Sequence, residues 1–200
     1  MGDPTMKTDL LALIPARSNS SRLAAKNLQP LGGKPLIVHT IECALQCKSI
    51  DRVIVSTDSP ELQNISRRAG AEVPFLRPAG LASAAVATTA VVLHAIQFLK
   101  EHEDRIYDYF IVLQPTSPLR TPDDIEQAFQ LLLTDTADSV VSVSAAPIPL
   151  AHLMIEENGY LKPVTARPVF PQKQLSFYKF NGAIYLSRTD ILLNTGRLLG

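Results

Sequence analysis

The sequence predicts an α/β fold: a doubly wound, mostly parallel sheet with a small hairpin arm. Three observations predict it. Short, continuous apolar runs, LLALIP at Leu10–Pro15 and RVIVS at Arg52–Ser56 among them, mark strands buried on both faces. Between such runs lie stretches with helical apolar spacing, bracketed by capping residues and prolines. The two kinds of segment alternate along the chain, and right-handed crossovers then give a parallel sheet covered on both faces.

Residues 1–8 read as a disordered leader, and the second methionine at Met6 sets Met1–Thr5 apart from the fold. Leu10–Pro15 opens the sheet. A helix follows from Pro35, a residue suited to a first turn, with Leu36/Ile37, Ile41 and Ala44/Leu45 on one stripe. Arg52–Ser56 is the second strand. Ser59-Pro60-Glu61 supplies a cap, a first-turn proline and a carboxylate, and that helix stops at Gly70. Ala71–Leu76 is expected as a third strand, Thr88–Lys100 as a helix and Tyr109–Leu113 as a fourth strand. Thr121-Pro122-Asp123-Asp124 is a capping box opening a helix to about Leu133. Ser139–Ser144 is the fifth strand. Five prolines then interrupt residues 145–180, which read as an arm leaving the sheet, with a possible role in dimerisation or the substrate site. Strand Gly182–Leu186 returns, and Ser187-Arg188-Thr189-Asp190 is expected to cap a last helix.

Composition narrows the function. Nineteen Lys+Arg balance nineteen Asp+Glu, which argues against nucleic acid or an anionic membrane as partner. No apolar run reaches the roughly 18 residues of a membrane span. Two cysteines, Cys43 and Cys47, make no disulfide framework, so a cytoplasmic location is expected. One turn apart on a helix, they read as small buried side chains rather than metal ligands. His39, His94, His102 and His152 lack a Ser or Cys partner pattern and read as packing or solvated residues.

Doubly wound sheets bind ligands at the carboxyl ends of their strands, which points to the residues after Ile14, Ser56, Phe75 and Leu113. The first of these loops, Pro15–Asn27, reads PARSNSSRLAAKN. No acid occurs between Leu10 and Ile41, yet Arg17, Arg22 and Lys26 stand there beside the hydroxyls of Ser18, Ser20 and Ser21. Guanidinium forks, an ammonium and hydroxyls at the exit of a buried strand suit phosphate oxygens. Neither a Walker loop nor a dinucleotide fingerprint is present, so side chains would supply most of the contacts.

This loop resembles the signature of the sugar-nucleotide cytidylyltransferases. Gly33-Lys34-Pro35-Leu36-Ile37, Val55-Ser56-Thr57-Asp58 and Phe75-Leu76-Arg77-Pro78 continue the pattern, and LQPTSPLRT at Leu113–Thr121 with NGAIYL at Asn181–Leu186 is similar to the acylneuraminate branch. The resemblance runs from about Leu10 to Leu193. It implies a Rossmann-like nucleotidyltransferase fold and transfer of a cytidylyl group from CTP to a nine-carbon 2-keto sugar acid of sialic, legionaminic or pseudaminic type. A nucleotide site of Arg17, Asn19, Ser20, Ser21, Arg22, Lys26, Asn27, Arg77 and Ser83 is implied, with Arg17 and Lys26 catalytic. A sugar site of Gln114, Thr116, Ser117, Lys179 and Asn181 is implied as well. Lys173 and Arg167 are further candidates for the sugar carboxylate. Arg120 is expected instead as a surface ion-pair partner of Asp123 and Asp124.

The resemblance also implies Mg²⁺ and a homodimer. The family's metal-holding aspartates lie in a terminal segment for which this chain, ending at Gly200, offers no counterpart, so no metal ligand is assigned and the activity of these 200 residues stays open. Asp58 is a candidate substitute for those aspartates, but is expected first as a helix-start residue. Ser20-Ser21-Arg22-Leu23 resembles the branch that activates Kdo, which keeps a Kdo-type enzyme as one alternative. A non-catalytic nucleotide-binding or structural subunit is the other.

Overall fold

Strand β1 (Leu10–Pro15) carries an apolar side chain at every position before its proline, and Leu10 through Ile14 are all buried. Such a segment needs partners on both edges and both faces. It pairs in parallel with β4 (Arg52–Ser56) on one side and β5 (Tyr109–Val112) on the other. The computed structural model describes residues 8–18, 23–83, 85–135, 137–146, 153–164 and 177–200. The leader expected over 1–8 therefore lies outside the described residues except for Thr8.

Alternate β1 side chains feed two cores, as the period-two geometry of a strand requires. Leu10, Ala12 and Ile14 pack with Ile37 and Ile41 of α1 (Leu36–Leu45), Leu62 of α2 (Pro60–Arg68), and Ile125 and Phe129 of α4 (Pro122–Thr134). Leu11 and Leu13 pack with Val92, Ile96 and Leu99 of α3 (Thr88–Glu103) and Leu192 of α5 (Thr189–Thr195). Each fully buried Leu or Ile side chain stabilises the fold by about 1.5–3 kcal/mol relative to exposure. Helices cover both faces of the sheet.

Two short ribbon segments, β2 (Pro30–Leu31) and β3 (Lys34–Pro35), pair across Gly32 and Gly33, whose positive φ angles make the turn. Strand β6 (Ser139–Ala145) and the long β9 (Tyr178–Arg188) complete the sheet in the order β4-β1-β5-β9-β6. The β9 strand runs antiparallel to β5, pairing Tyr109 with Arg188 and Val112 with Tyr185. Among the described residues no helix is long and apolar enough to cross a membrane.

The chain forms two units, Met1–Val141 with Gly182–Gly200, and Ser142–Asn181. In the second unit β7 (Met154–Glu157) and β8 (Tyr160–Pro163) form an antiparallel hairpin. Its turn is Asn158-Gly159, both at positive φ, the pairing that a two-residue hairpin turn favours. The rest of the proline-rich segment, residues 147–152 and 165–176, lies outside the described residues, and with it Arg167 and Lys173.

Two expectations change. Ala71–Leu76 is not a continuous strand but two isolated bridges, Glu72 to Ile54 and Leu76 to Thr57. Pro74 stands between them without an N–H to offer a ladder. The box expected at Ser187–Asp190 does not form: α5 starts after Arg188 with no side-chain cap. Ser187 is still a buried residue of β9, and its hydroxyl donates to the Asp138 carbonyl, 3.2 Å away. The other caps are present. Ser59 Oγ accepts from Leu62 N, and Thr121 and Asp124 bond each other reciprocally.

Candidate functional site

Strand β1 lies between β4 and β5, so the carboxyl ends of β1 and β5 form the switch point of the sheet. The chain leaves β1 through Pro15 and Ala16, whose N–H donates to the Ser56 carbonyl at 2.9 Å. Arg17 and Ser18 follow, and both are tied down. Asn27, buried at the start of the next turn, donates Nδ2 to the Arg17 carbonyl at 3.1 Å. Asp58, two residues past β4, accepts Ser18 N–H at 2.7 Å on one carboxylate oxygen and Ser18 Oγ at 2.6 Å on the other. Burial raises the Asp58 pKa, but the Ser18 bonds, with the Arg77 charge, outweigh it and hold the carboxyl below its usual range. Asp58 is thus a brace for the first loop. Ala25 then takes a left-handed conformation, φ 47, and leads into the single 3₁₀ turn Lys26–Leu28.

Arg77 follows the Leu76 bridge. Its N–H donates to the Thr57 carbonyl at 2.7 Å, and its Nε donates to Ser56 Oγ at 3.0 Å. Nη2 also donates to the Ser56 carbonyl. The side chain is buried, which lowers its pKa against the opposing pull of Asp58. Much of this guanidinium is committed to sealing the end of β4.

The loop after β5 begins at Leu113 and Gln114. Ser117 N–H donates to the Gln114 carbonyl at 3.2 Å, closing a turn over Pro115 and Thr116. Arg120 is not the surface ion-pair partner expected of it. Only 7% exposed, it donates Nε to the Ala183 carbonyl at 2.7 Å and Nη2 to the Gln114 carbonyl at 2.9 Å. Asp124 spends its carboxylate on Thr121 instead. Gly182, at φ 81, presses against Gln114: a Cβ there would meet Gln114 Oε1 at 2.7 Å.

These loops enclose a cavity of about 250 Å³. Of the residues expected in the site, Arg17, Lys26, Asn27, Arg77, Ser83, Gln114 and Thr116 line it. Leu81, Val86 and Val91 give it an apolar wall that the sequence reading did not single out. Ser117 stands just behind Gln114, 4.0 Å from the Cβ position of Gly182. Asn19, Ser20, Ser21 and Arg22 lie outside the described residues. Lys179 and Asn181 belong to the second unit, where Ser142 Oγ donates to Asn181 Oδ1 at 2.6 Å.

A second hollow of about 460 Å³ opens where β1 and β5 begin, beside Asp108, Arg188 and Asp190. Its arginine is paired with Asp190 at 2.7 Å. Among the described residues no three His, Cys, Asp or Glu side chains converge as a metal site. Cys43 and Cys47 are free, buried thiols. Burial raises the pKa of both, and that of Cys47 is pushed up to about 12, with Cys43 adding to the effect.

A cation-lined cavity at the switch point of a doubly wound sheet stands where α/β proteins of this architecture take their ligands. Comparison with known proteins gives the family. The family described as Cytidylyltransferase matches residues 11–195. Over 184 residues the chain is 39% identical to a CMP-N,N'-diacetyllegionaminic acid synthase of Legionella pneumophila, covering 89% of this chain and 77% of that protein. It is 33% identical over 205 residues to an N-acylneuraminate cytidylyltransferase of Escherichia coli, covering 98% of this chain but only 46% of the relative. A solved structure of CMP:2-keto-3-deoxy-manno-octonic acid synthetase complexed with CTP superposes with TM-score 0.70 at 25% identity, covering 94% of this chain and 78% of the other. A 4-diphosphocytidyl-2C-methyl-D-erythritol synthase from Anaerococcus prevotii shares the fold, with TM-score 0.65 at 11% identity over 94% of this chain and 75% of that one. The chain belongs to the acylneuraminate cytidylyltransferase family of nucleotidyltransferases and has their Rossmann-like fold.

Proposed function

We propose that the chain activates a nine-carbon 2-keto sugar acid with CTP. The anomeric hydroxyl attacks the α-phosphorus, the bond from that phosphorus to the bridging oxygen of the leaving group breaks, and CMP-sugar and pyrophosphate result, with the hydroxyl proton passing to solvent. The observation that carries this reading is the convergence of Arg17, Lys26, Arg77, Ser83 and Gln114 on one cavity at the switch point.

The residues divide the work by chemistry. Arg17 and Lys26 neutralise charge on the triphosphate and on the departing pyrophosphate, an electrostatic contribution that grows as the bond breaks. Asn27 and Asp58 hold the carbonyl and the N–H of the Arg17–Ser18 peptide, directly after the Arg17 side chain, so that its position is set before the nucleotide arrives. Asn19, Ser20, Ser21 and Arg22 extend the phosphate contacts on the family pattern. Arg77 and Ser83 flank the nucleotide's base, with Leu81, Val86 and Val91 excluding water. Gln114, Thr116 and Ser117 receive the sugar acid. Lys179 and Asn181 enter the proposal on the family pattern alone, as do a homodimer and a cytoplasmic location.

Mg²⁺ is the family's expected cofactor, and the described residues do not fit it as a protein-held ion. Both oxygens of Asp58 take Ser18 donors, and no acidic cluster converges among the described residues. No step here is routed through a metal.

The test is release of pyrophosphate from CTP with a panel of N,N'-diacetyllegionaminic, N-acetylneuraminic, pseudaminic and Kdo acids. Release with a nine-carbon acid supports the proposal. Release with Kdo alone would move the chain to the alternative that the CTP-bound Kdo-type relative favours. CTP binding without release under any acid would contradict a transferase role for these residues.

A further inference from the structure

Arg120 spends a buried, permanent charge on two backbone carbonyls. One belongs to Gln114, in the loop after β5, and the other to Ala183, in β9. A guanidinium suits this because its fork presents several donors in one plane, so a single side chain fixes the loop after β5 to β9 at a set spacing. Cys43 Sγ donates back to the Arg120 carbonyl at 3.3 Å, so the bridging residue is itself anchored on α1. Next to Ala183, Gly182 leaves a space that the Gln114 carboxamide fills. Its φ of 81 suits glycine, and any Cβ would stand 2.7 Å from Gln114 Oε1. Backbone and side chain of Gln114 are therefore held by two separate residues, neither of which lines the cavity.

We propose that Arg120 and Gly182 are positioning residues that set the reach of Gln114 into the cavity and thereby determine affinity for the sugar acid, leaving the nucleotide subsite unaffected. The inference rests on the reading of Gln114 as a sugar contact. It adds two residues, neither of which touches the cavity, to the determinants of specificity. A misplacement of about 1 Å at a reacting centre can cost about a hundredfold in rate, and a smaller displacement of one polar contact sets a scale of about tenfold here.

The experiment measures dissociation constants by titration calorimetry on the full chain. CTP is titrated alone. The sugar acid is titrated into protein saturated with CDP, using whichever of N,N'-diacetyllegionaminic and N-acetylneuraminic acid binds the unaltered chain more tightly. Arg120→Lys keeps the charge and loses the fork, and should weaken the sugar acid about tenfold while CTP affinity changes less than twofold. Gly182→Ala, which attacks Gln114 from the other side, should do the same even where Arg120→Lys fails to fold. Neither substitution should weaken the sugar acid further in a Gln114→Ala background, since a shared route makes the effects non-additive. Purely structural roles would lower the melting temperature and shift both ligands alike, and that result overturns the proposal. Full additivity with Gln114→Ala also overturns it. If the unaltered chain binds no sugar acid, or Gln114→Ala binds it as tightly, the reading of Gln114 fails first and the proposal falls with it.

Discussion

Replacing Asp58 with alanine tests how the first loop is preorganised. The carboxylate takes two donors from one residue, Ser18 N–H at 2.7 Å and Ser18 Oγ at 2.6 Å. Hydrogen bonds to a charged group contribute about 1.5–3 kcal/mol each, but the pair is partly buried and water can replace the carboxylate in part, which brings the expected loss to about 1–2 kcal/mol. That loss lands on ligand affinity where the loop must be reordered each time the nucleotide binds. At about 1.4 kcal/mol per decade, CTP should bind roughly fivefold to thirtyfold more weakly. Asp58→Asn retains an acceptor for Ser18 N–H and should lose less. Titration calorimetry with CTP alone reads the effect without any contribution from the sugar acid. The sign of the pH dependence follows from the depressed pKa. The brace is complete above the ordinary carboxyl value of 3.8 and is lost only as pH falls through the still lower folded value, so its contribution should be flat between about pH 5 and 8. Equal CTP affinity in Asp58→Ala and the unaltered chain would refute the reasoning.

Thr121→Ala removes one half of the capping box on α4 and should lower unfolding free energy by about 1 kcal/mol in urea titration. An effect above about 2 kcal/mol would mean that the threonine does more than cap. Phe110→Ala empties a fully buried site between β5 and α3 and should cost about 3–5 kcal/mol by the same measurement. Both cysteines should resist an aromatic disulfide reagent at pH 8 in the folded protein and react quickly in denaturant, because burial raises their pKa values. Fast labelling of the native chain would contradict the burial of α1.

Local signals carried most of the fold. The apolar runs of β1, β4 and β5 were legible because strands buried on both faces leave no polar alternation. The cap at Ser59 and the box at Thr121 were legible because capping is a contact between near neighbours. What failed was non-local, with one local exception. Ala71–Leu76 has strand composition, yet Pro74 divides it into two bridges. Ser187 has the spacing of a cap, but β9 claims it and its hydroxyl goes to Asp138. In the site, the Arg17 loop was read from its missing acids, and seven of the expected residues line one cavity. The partners of that loop were not read. Asp58 lies forty positions from Ser18, and only the parallel pairing of β1 with β4 brings them together. Arg120 beside Asp123 and Asp124 has the sequence of a surface ion pair; its carbonyl partner on Ala183 lies 63 positions away, across the antiparallel return of β9. The Gly182 contact was hidden for the same reason.

The central claim is that the loop leaving β1 cradles the phosphates of CTP through Arg17. Titrating CTP into Arg17→Ala beside the unaltered chain tests it most directly. Loss of a charge-assisted phosphate contact of about 1.5–3 kcal/mol predicts affinity weakened about tenfold to a hundredfold. An unchanged dissociation constant, with the variant folded, would contradict the account.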